Sequence, residues 1–266
     1  MYQFNYVKAK SLKEAGRLLA SHGEAKLVAG GMTLIPTLKM RLARPSHLVD
    51  ITQLAELQGI KLKAGRLEVG AATRHHQVAA SAVVRKAIPA LAQLASVIGD
   101  PQVRNRGTLG GSVANNDPAA DYPAAVLGLG ATIVTTQREI AADDFFQGMF
   151  ATALKDGEII VRVVFPVAKR AAYAKFAHPA SGYAMTAVFV AQTGDGVRVA
   201  VTGAGPGVFR WKKAEAALAK SPKAAALDGV ALDSSGFNSD IHADAAYRAN
   251  LVRVMAKRAV AKLGRK

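Results

Sequence analysis

The residues best suited to chemistry in this sequence act through their backbone. Between Ile98 and Tyr122 the chain reads IGDPQVRNRGTLGGSVANNDPAADY, which puts Gly107, Gly110, Gly111, two prolines and a cluster of short polar side chains into 25 residues. Glycine lets a chain turn tightly and lets backbone N–H groups point inward around a polar ligand. A second stretch, LVAGGMTLIPTLK at 27–39, has the same character. Two such loops suit one large phosphate-bearing cofactor held between them. Read as structure alone, they are two tight turns.

Other chemistries find less support. The chain has no cysteine, which removes disulfides, thiolate-held zinc or iron–sulfur centres, a cysteine nucleophile and a cysteinyl flavin link from this polypeptide. The six histidines, His22, His47, His75, His76, His178 and His242, form no HExxH or other compact metal pattern. No catalytic acid–base pair stands out. Formal charge is +16, spread along the chain except from Arg248 to Lys266, where seven basic residues meet no acidic one. That tail reads as a solvated helix face or as a surface for an acidic partner. A nucleic-acid partner is not expected, because no basic strand is rich in aromatics. With no apolar run of membrane-spanning length and no apolar signal core in the first twenty residues, the expected location is cytoplasmic.

The elements that must position the loops follow from periodicity. The 266 residues are half apolar, enough for two or three subdomains. A strand over 2–7 precedes a helix opened by Ser11 and Glu14 as a capping box, with Leu12, Ala15, Leu18 and Leu19 as its apolar stripe. AKLVAGG reads as a buried strand entering the first loop, and Ile35, Leu38, Met40 and Leu42 continue it as extended chain. HLVDI is another strand, and TQLAELQG a helical turn. The first 55 residues thus make a small β-α-β unit, without the GxGxxG and following helix of a standard dinucleotide fold. Strands flanking Ala64-Gly65 form a hairpin. SAVVRKAIPALAQLASVIG is helical with a break at Pro89 and leads into the second loop. A short helix, a strand and a turn follow, then the strand DGEIIVRVVFPV at 156–167. The last third holds YAKFAHPASGYAMTAVFVAQ, a Gly-Asp-Gly turn at 194–196 and VRVAVTGAG as strands, then helices at 211–220 and 243–263. Met185, Val188 and Val190 read as core there, and Trp211 as a helix anchor.

At its glycine loops the sequence resembles the FAD-binding (medium) subunit of the molybdenum hydroxylases, the group with carbon monoxide dehydrogenase and bacterial xanthine dehydrogenase-like enzymes. The resemblance is carried by AGGMTLIPTLKMRLARPSHLVDI at 29–51, GAATRHHQV at 70–78, IGDPQVRNRGTLGGSVANNDPAADYPAA at 98–125 and DIHADAAYRANLVRVMAKRAV at 240–260. It covers essentially the whole chain. It implies an α+β protein with the vanillyl-alcohol-oxidase-like FAD-binding fold: two FAD-binding subdomains, at 1–55 and 56–168, and a C-terminal α+β domain at 169–266.

The resemblance also implies roles. Ala29, Gly30, Gly31, Met32 and Thr33, with Leu34 after them, match the AGG loop whose amides meet the FAD diphosphate. Thr108, Gly110, Gly111 and Ser112 match the TIGG loop that approaches the same diphosphate. Asp121 matches an acidic residue that bonds a flavin-side hydroxyl, with Asn115 and Asp117 as polar neighbours. Ile159 or Ile160 matches the apolar residue on the isoalloxazine, and Lys175 a lysine reaching the flavin region. Alternatives remain open at this point: Asp121 as a helix cap, Lys175 as a solvent-facing side chain, Asp100 and Arg104 as a loop ion pair, His75 and His76 as turn and helix-start residues. The sequence departs from the family at Met32-Thr33, where His or Gln followed by Ser is common, at Ser112 for Asn and at His178 for Arg. The loop that holds a 4Fe–4S cluster in one related branch is absent.

The implied function is an electron-transfer subunit of a heterotrimer. Non-covalent FAD would take electrons from a small 2Fe–2S subunit, fed by a large molybdopterin-binding subunit, and pass them to NAD⁺, a quinone or another acceptor. A self-sufficient FAD-dependent oxidase or reductase of the same fold is the alternative, for which Tyr173, Lys175, His178 and Tyr183 are the candidate proton donors.

Overall fold

The computed structural model describes residues 1–263. Arg265 and Lys266 of the basic tail, and the last residues of the expected third domain, lie outside them. Near the N-terminus, β1 (Asn5–Lys8), β2 (Lys26–Val28) and β3 (His47–Asp50) form a parallel sheet ordered β1-β3-β2. α1 (Leu12–Ser21) crosses between β1 and β2. Its start is capped on both sides. Ser11 Oγ accepts the Glu14 N–H at 3.1 Å, while the Glu14 carboxylate accepts the Lys10 N–H at 2.7 Å.

The chain after β2 departs from the expected extended stretch. It forms a short helix, α2 (Leu34–Lys39). Pro36 is tolerated because it sits in the first turn, where N–H groups have no intrahelical partner. The alternation of Ile35, Leu38, Met40 and Leu42 records no sheet face: Leu38 is 1% exposed, Met40 70% and Leu42 71%.

The second sheet is antiparallel and ordered β4-β5-β10-β6-β7, from β4 (Ile60–Lys63), β5 (Arg66–Gly70), β6 (Thr132–Thr135), β7 (Glu139–Ala141) and β10 (Ile160–Pro166). Ala64 and Gly65, with φ of 48° and 71°, make the tight left-handed turn between β4 and β5. Helices α3 (His75–Ala80), α4 (Ala82–Ala87) and α5 (Pro89–Ser96) follow, broken at Ser81 and Ile88. The stretch from 98 to 122 is more regular than a loop. It contains α6 (Pro101–Arg106) and α7 (Leu109–Asn115) and runs into α8 (Tyr122–Gly128). A small helix α9 (Ala142–Phe145) and the hairpin β8 (Phe146–Gly148) and β9 (Ala151–Thr152) lie between β7 and β10.

The last sheet pairs β11 (Arg170–Ala177), β12 (Ala184–Thr193), β13 (Gly196–Thr202) and β14 (Phe209–Arg210) antiparallel, in that order. It is covered on both faces. Ala172, Ala174, Val188, Val190, Val199 and Val201 pack with α11 (Ala245–Leu263) and α10 (Lys212–Lys220). Tyr173, Ala187, Phe189, Ala191 and Ala200 face the other way and join the core that also holds Val69, Val126 and Phe165. The two-residue period of a strand therefore ties this sheet into two cores at once. Trp211 is buried and donates its indole N–H to the Ala231 carbonyl at 3.0 Å. Among the described residues, no helix is long and apolar enough to cross a membrane.

Candidate functional site

The two glycine loops meet. A Cβ on Gly30 would stand 2.2 Å from the Arg106 carbonyl oxygen and 2.7 Å from Gly107 Cα. Gly107 is hemmed in as well, since a Cβ there would lie 2.5 Å from His75 Nε2. A side chain at Gly30 would therefore push the loops apart, and one at Gly107 would displace His75.

Along this junction runs a cavity of about 580 Å³. Its wall includes Ala29 through Leu34, Thr108, Gly110, Gly111, Ser112, Asn115, Asp117, Asp121, Ile159 and Ile160. Those are the expected site residues with one exception. Lys175 lies behind the wall, with its Nζ 2.9 Å from Asp121 Oδ1 and 3.0 Å from the Val97 carbonyl oxygen. Its side chain is 6% exposed, so it does not face solvent.

The loops use their amides differently. Among the described residues, no group of the chain accepts from the N–H of Gly30, Gly31, Met32, Thr33 or Leu34. Gly31, at φ 71°, makes the turn that presents them. In the second loop the amides serve the fold. Leu109 N–H donates to the Thr73 carbonyl at 3.0 Å and Gly110 N–H to the Ala71 carbonyl at 2.8 Å. Gly111 N–H is capped by Thr108 Oγ1 at 3.1 Å, and Ser112 N–H by the Thr108 carbonyl at 3.1 Å. Gly110 is packing, since a Cβ there would meet Ala71 Cβ at 2.5 Å. Gly111 is exposed, and a Cβ there would meet Thr108 Oγ1 at 2.9 Å and nothing else within 4 Å. The second loop thus offers an open floor and the side chains of Ser112, Asn115 and Asp117.

Four titratable groups of the wall are perturbed, among them the Tyr183 phenol, which burial pushes up. Burial lowers the His75 imidazole to about 4, with the Arg104 charge adding to it, so His75 is neutral at physiological pH. Burial works against the Glu158 carboxylate, but hydrogen bonds from Arg138, the Lys155 N–H and Thr135 outweigh it and hold Glu158 at about 2. Burial pushes the Asp121 carboxyl up, opposed first by the Lys175 charge and then by the Tyr173 hydroxyl.

Asp121 precedes α8 but makes no side-chain cap hydrogen bond. Asp100 caps α6 through the Val103 N–H at 2.8 Å, while Arg104 donates to the Ile98 and Gly99 carbonyls, so the two form no ion pair. His75 does start α3, yet its ring also lines the cavity. Sequence reasoning missed His75, Glu158 and Leu154 as wall residues. For His75 a signal existed: a histidine beside a glycine-rich junction. Nothing local marked Glu158.

A cradle of unpaired amides, an open glycine floor, an apolar wall at Ile159 and Ile160 and a buried carboxylate define a protein that binds a large phosphate-bearing cofactor, and these residues fit FAD. The chain belongs to the FAD-binding medium subunits of the molybdopterin and CO dehydrogenase family. Residues 2–168 match the FAD binding domain in molybdopterin dehydrogenase, and residues 164–263 the CO dehydrogenase flavoprotein C-terminal domain. The carbon monoxide dehydrogenase medium chain of Hydrogenophaga pseudoflava is 34% identical over 97% of this chain and 96% of its own length. Subunit alpha of the 6-hydroxypseudooxynicotine dehydrogenase complex of Paenarthrobacter nicotinovorans is 35% identical over 97% and 94%. Among solved structures, reconstituted CO dehydrogenase from Oligotropha carboxidovorans superposes with a TM-score of 0.93 at 32% identity, covering 98% of each chain. Quinoline 2-oxidoreductase from Pseudomonas putida 86 gives 0.90 at 30%, covering 98% and 97%. The chain is thus an FAD-binding subunit of a molybdenum hydroxylase-like, multi-subunit oxidoreductase.

Proposed function

We propose that this chain is the electron-relay subunit of its complex, holding FAD non-covalently and passing electrons from the 2Fe–2S clusters of a small subunit to NAD⁺, a quinone or another acceptor. The substrate would be oxidised on a large molybdopterin-binding subunit, in the cytoplasm. The observation that carries the reading is the row of unpaired amides from Gly30 to Leu34, brought against the second loop at Gly107. When bound, the flavin supplies the redox chemistry. The chain supplies the rest. The first-loop amides hold the diphosphate, and Gly111 leaves it room to approach. Ser112, Asn115 and Asp117 orient its polar groups, and Ile159 and Ile160 exclude water from the ring. Asp121 accepts a cofactor hydroxyl. Lys175 acts from behind the wall, through Asp121. The three divisions we assign are 1–55 and 56–168 for the cofactor and 169–266 for the C-terminal domain.

The test is made on the complex purified with its partner subunits. One FAD per copy of this chain, released intact by acid and reduced after the iron–sulfur clusters when substrate is mixed in, is the expected result. A folded chain that takes up no FAD overturns the reading. Flavin reduction by an organic substrate in the isolated chain would instead make it a self-sufficient oxidoreductase.

A further inference from the structure

The wall behind Asp121 holds a residue with no assigned part in cofactor binding. Tyr173, on β11, is 2% exposed and donates its hydroxyl to Asp121 Oδ1. Lys175, two residues on and therefore on the same face of the strand, places Nζ 2.9 Å from Oδ1 and 3.0 Å from Oδ2. An ionised carboxylate has about four acceptor positions, so these contacts leave room for another donor. Asp121 itself lines the cavity.

The backbone around Asp121 is fixed by other means. Thr202 Oγ1 lies 3.0 and 2.8 Å from the Pro118 and Ala120 carbonyl oxygens and shares its one proton between them, and the Gly203 N–H donates to the Pro118 carbonyl at 2.8 Å. The Ala184 N–H reaches the Ala119 carbonyl at 3.3 Å. The last sheet therefore holds the 118–120 peptides whether or not residue 173 carries a hydroxyl. What that hydroxyl adds is the rotation and charge state of one side chain.

We propose that Tyr173 is a positioning residue for Asp121, fixing its carboxylate so that a free acceptor position stays turned to the cavity for a hydroxyl of FAD. The inference rests on the FAD reading given above. With Lys175 on the same strand, it makes the C-terminal sheet part of the cofactor site, acting through the Asp121 carboxylate.

The groups around Asp121 set the sign of its pH dependence. Tyr173 and Lys175 face it from β11, and Tyr122 adjoins it in the chain. Asp117 and Tyr183 stand on the cavity wall with it. Burial raises the Asp121 carboxyl, and the Tyr173 hydroxyl is among the groups that pull it back down. Removing that hydroxyl leaves the carboxyl higher, so it takes up its proton at a higher pH and loses its acceptor there.

The experiment titrates the full chain with FAD across pH 5 to 9, as wild type, Tyr173→Phe and Asp121→Asn, with melting temperature measured alongside. Tyr173→Phe is expected to weaken FAD about tenfold near neutrality, the scale of one lost charge-assisted bond. It should also move the pH at which affinity falls upward. A structural role would lower the melting temperature and leave that pH midpoint in place. In Asp121→Asn the midpoint should vanish, and adding Tyr173→Phe should weaken FAD no further. Wild type that binds FAD beside a Tyr173→Phe variant with the same affinity and midpoint overturns the inference and leaves the FAD reading intact. Folded wild type that binds no FAD overturns both. Should Tyr173→Phe fail to fold, Asp121→Asn decides: undiminished FAD affinity in that variant sinks the proposal.

Discussion

The loops at 29–34 and 107–112 look alike in sequence and do opposite work. The first keeps its amides free and is held in place by contact, with Gly30 against the Arg106 carbonyl. The second spends its amides on Ala71, Thr73 and Thr108 and is held by hydrogen bonds. A glycine can be required because a ligand comes close, because backbone comes close, or because φ is positive. Gly30 is an example of the second and Gly31 of the third, and the reading proposed above makes Gly111 an example of the first. Amide bookkeeping separates these cases, since an N–H already bonded inside the fold has little left for a phosphate.

The strongest way to break this contrast is Gly30→Val. Its side chain cannot coexist with Arg106 and Gly107, so the loops must separate. FAD retention should be lost and the melting temperature should drop. A variant that still purifies with stoichiometric flavin would show that the junction is not what shapes the cradle. The next test sets neighbours against each other. Gly110→Ala should destabilise the chain by about 1–3 kcal/mol in urea unfolding, because Ala71 stands in the way. Gly111→Ala should cost no more than about 1 kcal/mol, since its methyl crowds only the Thr108 Oγ1 cap, yet bind FAD about tenfold more weakly, because the methyl intrudes on the open floor. If the two variants exchanged behaviours, the division of labour within the second loop would be reversed.

Much of the scaffold was readable because it rests on local chemistry. The Ser11–Glu14 cap, the Ala64-Gly65 turn and the Pro89 break are written in a few adjacent residues. The misreading at 34–42 has a physical cause. An i, i+3 spacing of Ile35 and Leu38 suits a helix, and Met40 and Leu42 extended it into an apparent strand although both lie outside the core. The candidate wall was legible as a set of residues, and its amide accounting was not. Partners of Leu109 and Gly110 are Thr73 and Ala71, more than 30 positions earlier. No spacing rule reports a bond of that range. For Asp121 the sequence offers a helix cap or a ligand contact. Its third state, a buried carboxylate gripped from β11, depends on a strand packed from another sheet.

The smallest expected effect sharpens the comparison most finely. Thr108 Oγ1 caps α7 by accepting the Gly111 N–H, so one hydroxyl decides whether that amide belongs to the fold or to the cavity. In Thr108→Ala the cap is lost, at a cost of about 1 kcal/mol. The same change frees the Gly111 N–H beside an open floor. If the second loop approaches the diphosphate, part of the lost stability should return when FAD is added, and the stability difference from wild type should shrink in saturating FAD. If the difference is the same with and without FAD, the Gly111 amide never turns to the cofactor, and the anion is held by the first loop alone.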